Sequence, residues 1–562
     1  MDDIASEADS LVIGLSALSP GAPVFDSEPL LVGALGSIEP TLFASIPDLD
    51  LSVRIQGSGY LLLAGHPLQH WQGASAEGWY WRPIDRSVAP ASLADVQSKA
   101  MAAGLMIDRG GRVTLHNDML GIQPLFVLHR SGAVYFSNWL PILVRLAQAR
   151  TPDPTAWAST LILGFVLPGR SHFSEIKSLD PCSSISVSNG VVESATGVIA
   201  VPPMSQDVSI VRAVRRGLPQ DVERCAFALS GGWDSRFLVA LSAGSPVSRH
   251  LASWTTSTDD GIDLDLEFAR LVANHLGTRH HEVIPGPESW QESNSAALAR
   301  FHHSTWMHGW LEPLAATLRA RGAPVVDGLG GDVLFKGLLQ DPEDDLAGQS
   351  RVARRRLWER LGGWHVTRSD AWSNQAVELF NDVIFDDFER AIMPVTEGPT
   401  WQMLVLLTTR TARAISLAPL RLFGPELDLY FPFISLPVLA SAFDSRVRRH
   451  RGSAFYRKLI ASVDPSLVGI PSTNDPHLAR ERSQKRRIEH PAALLHLADV
   501  IEQSAAIRLL APELRRAIEE KDVTTLAGAM KWTSTTRALQ GVYAYASWLV
   551  ENPFVDGSDL IG

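Results

Sequence analysis

Between residues 225 and 242 the chain passes from a short apolar run, Cys225 to Leu229, through Ser230-Gly231-Gly232-Trp233-Asp234-Ser235, into a segment of helical pattern. An apolar run of that length suits a strand covered on both faces, and such strands belong to parallel sheets flanked by helices. A glycine turn joining such a strand to a helix suits an anion. Glycine lets the backbone approach closely, the helix start presents free N–H groups, and the dipole favours negative charge. The hydroxyls of Ser230 and Ser235 add donors. Asp234 would repel a phosphate, so its presence makes sense with Mg²⁺ between the two. The spacing is neither the Gly-x4-Gly-Lys-Ser/Thr loop nor Gly-x-Gly-x-x-Gly.

A glycine turn capped by serine or aspartate is the plain structural alternative. Against it stands a second loop of the same kind, Asp327-Gly328-Leu329-Gly330-Gly331-Asp332, which follows the apolar segment 324–326. Further strands read at 250–254 and 281–284, and helices at 207–216, 235–242 and 263–276, the last closed by Gly277 as a C-terminal cap. This alternation predicts an α/β, doubly wound parallel sheet, whose ligands sit at the carboxyl ends of the strands. Both loops fall there. Asp332 is then the second Mg²⁺ ligand, while Asp327 reads as a ligand or a turn cap. The remainder, to about residue 558, reads as mainly helical.

The first ~195 residues read differently, as short strands at 60–64, 113–116, 125–128, 134–136 and 184–190 separated by turn signals, with one helix at 153–163 after an Asp-Pro start. The stretch 200–203 reads as a linker, which divides the 562 residues into domains 1–200 and 201–562. The formal net charge of −11 argues against a general nucleic-acid binder, although 480–487 is locally basic. Two cysteines, Cys182 and Cys225, give neither a disulfide framework nor a CxxC metal pattern, which fits a reducing cytoplasm. The acidic N-terminus lacks a secretory pattern, and no apolar run is long enough to span a membrane. Most of the 16 tryptophans are assigned to packing, the sharper alternative being an aromatic groove for a large substrate.

With both loops in hand the chain resembles the asparagine synthetase superfamily. The family's SGGxDS loop, the strand and acidic segment after it, and its "LG..HHE" helix end match Ser230 to Ser235, Ser253 to Thr256, Asp259-Asp260, and Leu276 to Glu282. The second loop matches through Val333. The resemblance implies an adenine-nucleotide α-hydrolase-like (PP-loop) domain with a helical extension that uses ATP and Mg²⁺. It implies that Asp234 and Asp332 hold Mg²⁺, and that Ser230, Gly231, Gly232 and Ser235, with Gly328, Gly330 and Gly331, line the pyrophosphate. The backbones of Leu229 and Ser253 lie near adenine on this reading.

The N-terminal half resembles the family's Ntn-type glutaminase domain at Asp118 to Phe126, Tyr135 to Asn138 and Ile176 to Pro181. A glutaminase needs a cysteine directly after the initiator Met as its nucleophile. That residue here is Asp2, so the resemblance implies a degenerate α+β sandwich, no glutamine hydrolysis, and another amine as nitrogen source. A second departure is the missing lysine in 468–475, for which Lys458 or Arg480 is the substitute. Among glutaminase-deficient branches the chain most resembles the lasso-peptide macrocyclases, through Gly330-Gly331-Asp332 and the Ile470 to Asn474 stretch.

The expected function is closure of a macrolactam between a peptide's N-terminal amine and an Asp or Glu side chain, through an acyl-adenylate. The expected partners are the precursor peptide, a leader-peptide-binding protein and a leader peptidase. A β-lactam or carbapenam-type synthetase is the rival of like chemistry, and a non-catalytic scaffold the rival of another class. His302, His303 and His308 read as packing histidines, and His280 and His281 as structural. Arg236 reads as a phosphate contact or a helix-surface residue. Arg351 to Arg356 reads as a solvated face or a dock for an acidic partner.

Overall fold

The computed structural model describes residues 102–560 apart from short stretches, the longer of them 200–208, 245–249 and 476–484. Ahead of residue 102 it describes the backbone of five strands between residues 32 and 81. Asp2 and Arg480 lie outside the described residues.

The fold is mixed α/β. Its parallel sheet has five strands, in the order Arg279–Val283, Ala252–Thr256, Ala226–Ala228, Val325–Val326 and Leu429–Tyr430. The fifth lies in the stretch that the sequence assigns to helix, because two residues are too few to show a period. Helix Trp233–Ala243 follows the central strand and buries nearly every side chain, as the apolar sequence demands. Helix Leu264–Leu276 is amphipathic, burying Phe268, Ala269, Val272 and Ala273, and it ends at Gly277 in the left-handed region (φ 68°). The helix anticipated from 207 begins at Ile210, where the Ser209 side chain accepts the Arg212 N–H at 3.3 Å and so caps it.

The N-terminal strands form two antiparallel sheets and a separate hairpin. The four-stranded sheet runs Val32–Gly36, Ala133–Ser137, Phe126–Arg130, Ile176–Ser178, and the six-stranded one runs from Val191–Thr196 to Gln69–Gln72. Val127, Val134 and Phe136 share a core with Leu105, Leu115 and Ile185 of the six-stranded sheet. Their strand neighbours Phe126, Leu128 and Tyr135 point the other way, into the main core. Strand Ala133–Ser137 and the first three residues of Phe126–Arg130 are thus buried on both faces, which explains why 125–128 and 134–136 read as continuous apolar runs.

Helix Pro154–Leu163 begins where the sequence placed it, with Asp153 accepting the Ala156 N–H at 3.0 Å. All its side chains from Ala156 to Leu163 are buried, because helices Asn374–Ile392 and Thr533–Glu551 pack against it. Arg170 bridges Asp153 (2.8 Å) and Asp387 (2.7 Å), and the Trp306 indole donates to the Thr160 carbonyl at 2.9 Å. The buried guanidinium of Arg413 lies within electrostatic reach of Asp118 and Asp180.

The Arg351 to Arg356 run is not a free basic dock. Arg351 pairs with Asp386 (2.6 Å), Arg354 with Glu389 (2.8 Å), and Arg356 with the buried Asp344, while Arg355 stacks over Trp358 at 4.4 Å. Most tryptophans are core residues, among them Trp157, Trp358 and Trp401, whereas Trp532 is 72% exposed.

Candidate active site

The first loop leaves the central strand of the sheet and opens helix Trp233–Ala243. Its two serines brace each other: the Ser230 N–H donates to Ser235 Oγ at 2.9 Å, and the hydroxyls stand 3.0 Å apart. Ser230 Oγ accepts the Gly232 N–H at 3.2 Å. Gly231 donates its N–H to Asp265 Oδ1 at 2.7 Å, so the acidic segment after the next strand fastens the loop. Burial raises Asp265 to about 6 against this hydrogen bond. Gly232, at the N-cap, gives the helix no side-chain cap, which leaves its first backbone N–H groups to other acceptors.

Arg236 is neither a phosphate contact nor a surface residue. It is 1% exposed, and its guanidinium donates to the carbonyls of Leu467 (3.1 Å), Ile470 (2.8 Å), Pro471 (2.6 Å) and Gly231 (3.3 Å). This clamps the 467–471 stretch onto the loop. Ser472 Oγ and the Thr473 N–H add bonds to the Gly231 carbonyl at 3.0 and 3.2 Å. The stretch that lacks the lysine therefore does reach the loop, carrying Ser472 and Thr473 instead.

The second loop packs directly on the first. A Cβ at Gly331 would lie 2.6 Å from Asp234 Oδ1 and 3.0 Å from the Tyr456 hydroxyl, and one at Gly328 would lie 3.0 Å from the Asp234 Cβ. Glycine is required there by close approach. At Gly330 it is required twice over, by φ +89° and by a Cβ that would meet Ile434 Cδ1. Asp327 Oδ1 accepts the Leu329 N–H at 2.8 Å and so caps its turn. Asp332 opens a single π-helical turn, Asp332–Lys336, where its Oδ1 accepts the Val333 N–H at 2.8 Å.

Asp234 and Asp332 repel each other across this contact. Burial, and then Asp332, raise Asp234 to about 8; the Tyr456 hydroxyl and Lys336 act in the opposite direction. The same surroundings push the Tyr456 phenol well above its usual range. Two carboxylates in one crowded cleft suit a divalent cation that takes its remaining oxygens from a phosphate. Among the described residues no group of three or more His, Cys, Asp or Glu forms an all-protein metal cage.

Among the described residues no hydrogen bond or ion pair ties the Lys458 side chain to either loop. It is exposed on helix Ser453–Ala461. It lies two residues beyond the buried Tyr456, and two residues turn an α-helix by about 200°. The cations the sequence reading missed are Lys336, one helical turn from Asp332, and Arg410, which lies within electrostatic reach of Asp332. The only sequence signal for Lys336 is its closeness to the second loop, and nothing in the local pattern marks Arg410. Leu229 is buried and gives its N–H to the Trp254 carbonyl at 2.8 Å. Ser253 is fully buried, with its hydroxyl 2.9 Å from His280 Nδ1. Both lie in the first two strands leading to the cleft.

His281 stacks on Trp254 at 4.2 Å. His303 contacts the Ala544 carbonyl (3.2 Å) and Glu551 (2.9 Å). His308 is half-buried, and desolvation, with Arg410 and Arg537 nearby, lowers it to about 3. It faces a cavity of about 330 Å³ bounded by Thr258 to Asp260, Trp306, Trp310 and Arg537.

Residues 207–412 match the asparagine synthase family. The match takes in both glycine–acid loops, Lys336 and Arg410, and covers a little over a third of the chain. It supports a place in the asparagine synthetase superfamily and, in general terms, an ATP-dependent amidoligase. Comparison with curated proteins finds no match.

Proposed function

We propose, from the asparagine synthase match and the meeting of its two loops, that the chain is an ATP-dependent C–N ligase working through an acyl-adenylate. One observation carries the reading: Gly331 and Gly328 leave just enough room for the Asp234 side chain, so two acidic turns at the ends of neighbouring parallel strands close on one point. Ligands of open α/β sheets bind at that edge.

In this reading a substrate carboxylate attacks the α-phosphorus of ATP and pyrophosphate leaves. An amine then attacks the acyl carbon and AMP leaves. Ser230, Ser235 and the uncapped backbone N–H groups at the start of helix Trp233–Ala243 hold the departing phosphates. Asp234 and Asp332 would hold Mg²⁺, which offsets the negative charge gathering on pyrophosphate. Lys336 and Arg410 supply fixed positive charge beside the same cleft. The remaining task of the chain is to hold amine and acyl group together, an effect that contributes several kcal/mol in oriented reactions.

The substrate we favour is a short peptide whose Asp or Glu side chain is joined to its own N-terminal amine, as in the lasso macrocyclases, with a leader-binding protein and a leader peptidase as partners. The Gly330-Gly331-Asp332 loop and the Ile470 to Asn474 stretch support this. So does Trp532, exposed at the start of the helix that lines the cavity. The modest cavity volume favours the second reading, a β-lactam-type synthetase acting on a small acid. No described helix is long and apolar enough to cross a membrane; we place the reaction in the cytoplasm, with a degenerate Ntn-type domain at 1–200 and the ligase at 201–562. The test is incubation with ATP, Mg²⁺ and a candidate precursor. Loss of one water from the peptide, with AMP and pyrophosphate formed, supports the macrolactam. Pyrophosphate exchange with small acids alone supports the second reading. No nucleotide binding at all overturns both.

A further inference from the structure

We propose that the cavity between Trp306, Trp310 and the 258–260 loop is where the acyl substrate docks, an aromatic or aliphatic group bearing a carboxylate that pairs with Arg537. This rests on the ligase reading and names the substrate class of that site.

The cavity's place comes first. Thr258 to Asp260 directly follow strand Ala252–Thr256, the neighbour of the strand that carries the Ser230 loop. The cavity therefore opens on the same edge of the sheet as the two loops. The segment 259–265 links the two in sequence: at one end Asp259, which lines the cavity, accepts the Arg487 N–H at 2.5 Å, and at the other Asp265 holds the Gly231 N–H at 2.7 Å. Arg410 joins them electrostatically, with Asp332 on one side and His308 and Arg537 on the other.

The charge comes next. Arg487 is engaged, its Nε 3.7 Å from Asp259, and Arg486 donates to Thr536 Oγ1 at 2.9 Å. Arg537 differs. Its guanidinium lies over the Trp306 ring at 4.9 Å; the Nε of all three arginines is buried without an acceptor among the described residues, but Arg537 has no other hydrogen bond to a described residue either. No described carboxylate pairs with it, and burial with Arg410 nearby lowers it to about 10. A buried guanidinium without a counter-ion is costly, and a bound anion removes that cost. Because desolvation keeps His308 neutral, the cavity's positive charge is set by arginine over the working pH range.

The shape completes the class. Trp290, Trp306, Trp310 and Met307 supply apolar surface. A cavity of about 330 Å³ sits at the small end of the ~300–1,000 Å³ usual for ligand sites, room for one or two residues and no more. For a peptide substrate, one anionic residue would be seated here while the rest lies outside, toward Trp532.

The test uses the full chain and two probes, N-acetyl-L-phenylalanine and its uncharged amide, titrated by calorimetry with and without ATP and Mg²⁺. The acid should bind with nucleotide present, and the amide about tenfold more weakly or worse, the worth of one charge-assisted pair. Arg537→Gln should bring the acid down to the level of the amide, and Arg537→Lys should restore part of the difference. Equal binding of acid and amide, or binding of neither, overturns the proposal while leaving the ligase reading to nucleotide binding. Displacement of the acid by ATP overturns it too, by giving the cavity to the nucleotide. If Arg537→Gln does not fold, the comparison of acid and amide on the unaltered protein still decides. Failure of that protein to bind ATP removes the ligase reading instead.

Discussion

Asp265 Oδ1 accepts the backbone N–H of Gly231 at 2.7 Å across 34 residues of sequence. The first glycine of the loop is thereby held by the start of the next helix and not by its own. Asp265→Ala should leave the loop free to close on its own serines and weaken ATP binding about tenfold, the cost of one lost hydrogen bond to a charged group. Asp265→Asn keeps an acceptor and should lose much less. Calorimetric titration with ATP and Mg²⁺ separates the two. Equal affinities in both variants would mean that the bond does not organise the loop.

Asp234 gives a prediction in which stability and activity move in opposite directions. Its carboxyl is raised from 3.8 to about 8, so between those values the folded chain holds a proton that the unfolded chain has released. Where the native state binds more protons, stability falls as pH rises. The loss begins above pH 4 and is complete above pH 8. Asp234→Asn removes it, so metal-free variant protein should exceed the parent in stability at pH 9 by about 2–5 kcal/mol, with little difference at pH 4. Mg²⁺ with ATP should narrow the gap at pH 9 by stabilising only the parent. Denaturant melts at the two pH values measure this. Pyrophosphate exchange should meanwhile fall by about a hundredfold or more.

How much of this was legible in the sequence depended on whether the signal was local. The central strand, the helix after Ser230, the left-handed Gly277 cap and the Asp153 cap were readable because each follows from neighbours in sequence. Strand Leu429–Tyr430 was not, since its partner Val325–Val326 lies about a hundred residues away. Arg236 was misread for the same reason. Its position after the loop suggested a phosphate contact, while its actual acceptors are the carbonyls of 467–471. The Arg351 to Arg356 run looked like a basic surface because Asp344, Asp386 and Glu389, which neutralise it, are spread along other segments. Composition shows charges; only the fold shows which of them are already paired.

Gly331 tests whether the two loops work as one device. A methyl group there would stand 2.6 Å from Asp234 Oδ1, too close for any real contact, so the carboxylate must swing away. Gly331 itself has ordinary helical φ (−59°), so Gly331→Ala carries no backbone penalty and the protein should remain folded. Pyrophosphate exchange should drop by about tenfold or more through displacement of Asp234 alone. Gly330→Ala, at φ +89° and against Ile434, should instead lower the melting temperature. If Gly331→Ala were fully active, the carboxylate of Asp234 would not need its observed position.

For the proposed ligase, placement separates the candidate cations. The stretch 468–475 reaches the loop but carries Ser472 and Thr473, and Lys458 is exposed on helix Ser453–Ala461. Lys336 stands one turn from Asp332 and acts on Asp234 in the direction opposite to burial, as a smaller effect than burial, Asp332 or the Tyr456 hydroxyl. Removing a cation that meets charge developing in the transition state costs about a hundredfold in related oxyanion sites. Lys336→Met should therefore lower the rate of adenylate formation by about that factor with little change in ATP affinity. Lys458→Met should change neither by more than about twofold, as expected of an exposed cation. A single-turnover measurement of pyrophosphate release makes the distinction. If Lys458→Met were the slower of the two, the helix Ser453–Ala461 would have to turn its outer face inward during the reaction.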